Sequence, residues 1–143
     1  MRLAALVLIV LVFGALAWVR LAPSDPDRWH VNPLTARDPA SPNFARIVPG
    51  EIVTAEDPAT LARRIDAALL AMPRVRRLAG DPESGWVTYV ARSRLLGFPD
   101  YVTVRTLAAD RGATFAALSR SRFGRSDMGV NAARMQALRA ALE

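Results

Sequence analysis

"WVTYVARSRLLGFPDYVTVRTLAADRGATFAALSRSRF", residues 86–123, holds three runs rich in β-branched and aromatic residues, 86–96, 101–108 and 113–123. The turn-forming segments Gly97-Phe98-Pro99-Asp100 and Ala109-Asp110-Arg111-Gly112 part them. Connections this short join antiparallel neighbours, so the stretch predicts the centre of an antiparallel sheet. Trp86, Tyr89, Tyr101 and Phe115 fall within it as core or sheet cover.

Outward toward the N-terminus, a weaker strand at 75–79 precedes the turn "GDPESG" (80–85). Before it, Asp57 as N-cap and Pro58 at the first helical position open a helix that Pro73 stops. Leu61, Ile65, Ala68, Leu69 and Met72 form its apolar stripe, with Arg63, Arg64 and Asp66 on the solvated side. A short strand at 47–53 comes first. Toward the C-terminus, Asn131 as N-cap opens a second helix with Met135, Leu138 and Leu142 on one face. Val130 and Met135 are spaced as a hydrophobic staple. The order β-α-β-β-β-β-α, with two amphipathic helices and a sheet buried on one face, predicts an α+β two-layer sandwich over residues 47–143.

Residues 123–131, "FGRSDMGVN", join the last strand to the last helix. Gly124 and Gly129 suit φ > 0, and Ser126 and Asp127 can accept from neighbouring backbone N–H groups. Pro99, Asp100, Gly124, Ser126, Gly129 and Asn131 therefore read as structural turn residues. Arg122, Arg125 and Arg134 lie within sequence reach of Asp127, and the expectation is an ion pair that holds the turn.

Leu3 to Val19 is 17 residues without a charge, bracketed by Arg2 and Arg20. As a helix it reaches about 26 Å, the short end of what crosses a hydrocarbon core. Residues 1–20 are read as a signal-anchor with Trp18 at the interface, which puts the following domain outside the cytoplasm. The alternative is a cleaved signal peptide, since Ala15-Leu16-Ala17 has the small-x-small pattern, and a soluble periplasmic protein. Residues 21–46 carry five of the ten prolines and no hydrophobic period, so they read as a Pro-rich linker. Trp29 within it is expected to pack in a groove of the domain.

The formal net charge is +6, all 19 basic residues are arginine, and cysteine is absent, which excludes disulfides and thiolate chemistry. From Arg92 to Arg125 seven arginines face only Asp100 and Asp110. Strand alternation pairs Arg92 with Arg94 and Arg120 with Arg122, and Arg105 between them would complete one sheet surface. Arg92, Arg94, Arg105, Arg120, Arg122 and Arg125, with Asp127, are thus the candidate ligand-binding residues. Guanidinium forks suit phosphate or carboxylate, so the partners indicated are anionic lipid, an envelope polymer or a protein. The plainer reading is a solvated face braced by Asp100 and Asp127. Nucleic acid is not indicated, since no binding motif accompanies the basicity.

No catalytic constellation is legible. His30 is the sole histidine, there is no G-x-S-x-G elbow, and Ser126 and Asp127 are adjacent. No metal site or cofactor is implied. The expectation is a non-enzymatic binding or scaffold module; a lipid-handling domain with an apolar pocket between sheet and helices is the alternative.

The order "FPD" (98–100), "VTVR" (102–105), then "SRSRFGRSDMGVNAARM" (119–135) into a terminal helix resembles the bacterial and plastid family called domain of unknown function 1499. The likeness runs over roughly 42–142, and 119–131 is its specific portion. It implies an architecture, commonly behind an N-terminal membrane segment, and no activity. Such sequences commonly carry Pro-Asn-Cys near the domain start, whereas Phe44 follows Pro42-Asn43 here.

Overall fold

The computed structural model describes residues 2–143. In chain order the elements are α1 (Arg2–Leu21), the single turn α2 (Pro26–Trp29), β1 (Phe44–Ile47), β2 (Val53–Thr54) and α3 (Pro58–Ala71). β3 (Val75–Asp81), a 3-10 turn (Pro82–Ser84), β4 (Trp86–Arg92), β5 (Pro99–Ala109), β6 (Gly112–Ser121) and α4 (Val130–Leu142) follow. The six-stranded sheet runs β1-β6-β5-β4-β3, and β2 also pairs with β6. All pairings are antiparallel, and the short connections between β3, β4, β5 and β6 require it there. The fold is α+β.

Asp57 caps α3 as expected, its carboxylate accepting from the N–H groups of Ala59 and Thr60. Leu61, Ile65 and Leu69, one α-helical face, are at most 1% exposed. They meet Val87, Tyr89, Val102, Val104, Phe115 and Ala117 from the sheet and Met135, Leu138 and Leu142 from α4. Burying each large apolar side chain contributes about 1.5–3 kcal/mol, so this interlayer is the main source of stability.

Several boundaries differ from the sequence reading. The strand expected at 47–53 is two short strands, because Pro49-Gly50 breaks it, with Gly50 at φ +89°. The run 86–96 stops pairing at Arg92, and residues 93–98 form the loop to β5. Pro99 and Asp100 are not turn residues: they open β5, where a missing N–H is tolerated at a strand's first position. Asp66 is not solvated. It lies buried beneath β3 and β4, where Arg77 Nη2 donates to it at 2.5 Å and Tyr89 Oη at 2.9 Å.

Asn131 is likewise not the cap of the last helix. α4 begins at Val130, two residues earlier than that cap would set it, behind Gly129 at φ +80°, which offers no side chain. Val130 then lies inside the helix and 46% exposed, so the staple with Met135 does not form. The reason is that Asn131 is drawn inward, at 0% exposure, by acceptors and donors on β6.

Residues 22–38 are no free tether. They cross the sheet face opposite the helices as a strap. Trp29 stacks on Tyr101 with centroids 3.8 Å apart, as a docked tryptophan should. Arg46 of β1 clamps the strap through the carbonyls of Pro33 and Ala36, both at 2.6 Å, and through Asp38 at 2.7 Å.

Candidate functional site

Register decides where the candidate arginines lie. Across the outer face Arg92 pairs with Pro99, Tyr101 with Arg120, and Trp86 with Arg105. Arg92, Arg105, Arg120 and Arg122 therefore share that face. They are spread along it: six residues of β5 separate Pro99 from Arg105, about 20 Å at strand rise. Arg105 belongs to the far end.

Two of these guanidinium groups, Arg120 and Arg122, are already used by the strap. Arg120 lies 4.8 Å from the centroid of Trp29 and donates to the Trp29 carbonyl at 3.4 Å. Burial, then repulsion from Arg28 and Arg46, lowers its pKa from the usual arginine value. Arg122 donates to the Pro23 carbonyl at 2.6 Å. Arg105 lies 5.4 Å from the Trp86 ring centroid. His30 stacks on the same indole at 4.2 Å, and its Nδ1 shares a 2.8 Å hydrogen bond with Thr88. Arg125 is exposed at the corner, its carbonyl accepting from Ser41.

The corner 123–131 is a locked structural element. Gly124 and Gly129 both have positive φ. Met128 N–H donates to Ser126 Oγ at 3.3 Å, and Gly129 N–H to Asp127 Oδ1 at 3.1 Å. Among the described residues Asp127 makes no ion pair, contrary to expectation. Its Oδ2 instead accepts from the backbone N–H and the side-chain Nδ2 of Asn131, at 2.8 and 2.7 Å. Burial pushes its carboxyl up, but these amides outweigh it and hold the pKa low.

Arg134 turns away, donating to Asp100 at 3.1 Å, to Ser119 Oγ at 3.0 Å and to Asn131 Oδ1 at 2.8 Å. Asn131 also donates to the Asn43 carbonyl at 3.0 Å, and Asn43 Nδ2 to the Gly124 carbonyl at 2.8 Å. Asn43, at the domain start, and the segment 119–131, the specific portion of the resemblance, thus meet in one polar knot.

The family model described as protein of unknown function (DUF1499) matches residues 21–142. The chain belongs to this family. No curated protein matches it. The match takes in the strap as well as the sheet and α3 and α4, and of α1 only its last residue.

A different arginine cluster is free of carboxylates. At the rim where α1 ends, Arg20, Arg74, Arg76, Arg92 and Arg94 line a groove of about 360 Å³. Its other lining residues are Val75, Val90, Ser93 and Gly97, so no acid faces it. Among the described residues none of the five makes a salt bridge. Arg74 is held at φ +59°, an uncommon conformation for a residue other than glycine, and its Nε donates to the Arg92 carbonyl at 3.1 Å. Arg92 in turn donates to the Gly97 carbonyl at 2.9 Å.

Of the sequence candidates only Arg92 and Arg94 reach this groove. Arg20, Arg74 and Arg76 were missed, although a signal existed: alternation through Arg74-Val75-Arg76-Arg77 puts the first and third on one face. Antiparallel pairing across 80–85 then sets Arg76 against Val90.

Proposed function

We propose that this protein is a single-pass, membrane-anchored binding module of the bacterial envelope, its domain in the periplasm, that holds an anionic ligand without catalysing a reaction. The carrying observation is the groove: five arginines line it with no carboxylate among the lining residues. Such forks match phosphate and carboxylate oxygens bidentately, and uncompensated positive charge in a concave site attracts anions from a distance.

α1 supports the anchor. It is 20 residues long, none of them buried, with a mean hydropathy of 2.5 over its apolar window. At about 30 Å it matches a hydrocarbon core, and so large an apolar surface calls for lipid around it or for removal. Cleavage after Ala17 is the second reading, favoured by Ala15-Leu16-Ala17; it leaves Arg20 in place and a soluble periplasmic domain. For the lipid-pocket alternative, the interlayer is filled by side chains such as Leu61, Leu69, Phe115 and Leu138, each at 0% exposure.

The side chains best suited to proton transfer are engaged elsewhere, which supports binding over catalysis. His30 is stacked and bonded to Thr88, Asp100 is paired with Arg134, and Asp127 caps a helix. The test uses the full chain in discs of neutral lipid, titrated with pyrophosphate by calorimetry. Binding that weakens with added salt and disappears in Arg74→Gln/Arg76→Gln is expected. No binding at low salt would refute the anion site. Carbonate-washed membranes and N-terminal sequencing check the anchor, and Trp18 as the mature N-terminus would overturn it.

A further inference from the structure

The loop that lines the groove carries two apolar tips, and a third lies across a cavity from that loop. Leu95 and Leu96, in the β4–β5 loop, are 81% and 41% exposed, and Met128, in the corner after β6, is 93% exposed. The loop is fixed by its own hydrogen bonds: Ser93 N–H to the Phe98 carbonyl, Phe98 N–H to Ser93 Oγ and Gly97 N–H to the Ser93 carbonyl. The corner borders it across a cavity of about 210 Å³ lined by Phe98, Phe123, Met128 and Val130 among others. Leucines held outward by a closed loop are not the incidental exposure of a floppy one.

This rim also touches the end of α1. Arg20 packs so closely on Gly97 that a Cβ there would lie 3.0 Å from Arg20 Cγ. A helix that spans a bilayer and ends in Trp18 and Arg20 sets those two side chains at headgroup height. Loop 93–98 shares that height.

Backbone strain marks the same place. The two non-glycine residues with positive φ among the described ones are Arg74 and Met128. One supplies a groove cation and the other an apolar tip. Strain of this kind persists where the surroundings enforce it, and it concentrates at functional positions.

We infer that this rim is a membrane-contact device: Leu95, Leu96 and Met128 enter the leaflet that α1 leaves, and the groove of Arg20, Arg74, Arg76, Arg92 and Arg94 grips the phosphate of an anionic phospholipid there. This rests on the anchored, anion-binding reading above and names its ligand. Apolar tips beside unpaired cations fit a lipid, whose phosphate and chains are covalently joined; a free anion has no use for the tips. Opposite charge and the seat beside α1 select the lipid of the same membrane.

The chain has no cysteine, which allows a single environment-sensitive label. The full chain carrying Leu95→Cys, labelled with a nitrobenzoxadiazole dye, is reconstituted in vesicles of phosphatidylcholine with or without phosphatidylglycerol. Arg111→Cys, at the opposite end of β5 and about 33 Å away, serves as the water-exposed reference. The label at position 95 should be at least threefold slower to bleach with dithionite than the reference when phosphatidylglycerol is present. Adding Arg74→Gln/Arg76→Gln should abolish that protection while circular dichroism and vesicle retention stay unchanged.

Equal bleaching at both positions, with the chain retained after a carbonate wash, overturns the membrane contact and leaves the anchor standing. Loss of the chain in the wash instead counts against the anchored reading. Protection that ignores both phosphatidylglycerol and the arginine substitutions overturns the lipid clamp. So does pyrophosphate binding at the groove with no protection at position 95, which would make the ligand a free anion.

Discussion

The corner knot and the rim groove lie on either side of loop 93–98, and they use the same residue type for opposite ends. Arg134 is surrounded by acceptors: Asp100, Ser119 and Asn131 all accept from it. Of the five groove arginines, Arg74 and Arg92 donate to backbone carbonyls, and no carboxylate lines the groove. A guanidinium answered by a buried carboxylate is a brace, since little of its field is left for a ligand. One left unanswered beside others keeps its field, and the mutual repulsion is a cost that folding alone does not require.

The sharpest way to break this contrast is at Asn131. Its replacement by alanine removes partners from Ser119, Arg134, Ser121 and the Asn43 carbonyl together. A loss of about 3 kcal/mol or more in urea denaturation is expected, because several buried polar groups lose their partners. An unchanged midpoint would mean that water replaces these bonds and that the knot is no brace.

Asp66 offers a second brace and a pH test. The hydrogen bond from Arg77 holds its carboxyl below the ordinary aspartate range, against the upward push of burial and with a further bond from Tyr89. A depressed folded pKa gives stability that is complete above the unfolded value, about pH 4, and is lost as pH falls through the folded one. Asp66→Ala should cost about 1–3 kcal/mol at neutral pH, chiefly by leaving the buried Tyr89 hydroxyl without its acceptor. It should also flatten the acid limb of a stability-versus-pH curve. Parallel curves for variant and wild type would remove Asp66 from the account.

Asp127→Ala tests whether the corner is only a corner. Losing a carboxylate that caps the first turn of α4 should cost about 1–2 kcal/mol, read as a lower melting temperature, with anion binding unchanged. Weakened anion binding at unaltered stability would move the ligand site to the corner.

Arg74→Gln with Arg76→Gln should have the smallest effect on stability, within about 0.5 kcal/mol, because neither makes an ion pair. A loss above about 2 kcal/mol in this double variant would make the groove structural, and the contrast with Arg134 would vanish.

Much of the fold was legible because its signals are local. Alternation and short turns announced β4, β5 and β6; Asp57-Pro58 and the 61-65-69 spacing announced α3; an uncharged run announced α1. Asn131 and Asp66 were misread for one reason. A polar residue near a helix start or beside an apolar stripe looks solvated unless its partners, 10 to 88 residues away in sequence, are known. The strap was read as a linker because proline-rich sequence has no period, although its contacts to Tyr101, Trp86 and Arg46 are numerous.

The arginines divide the same way. Sequence alternation by itself paired Arg92 with Arg94 and Arg120 with Arg122, since side-chain direction along a strand follows from backbone geometry, and the register of β4, β5 and β6 put Arg92, Arg105, Arg120 and Arg122 on one face. Only the tertiary structure decided which of them are spoken for. Strap docking consumes Arg120 and Arg122, while the pairing of β3 with β4 and the exit of α1 carry Arg74, Arg76 and Arg20 to Arg92 and Arg94. A charge's role depends on what stands within a few ångströms of it, and those neighbours come from parts of the chain that no local pattern connects.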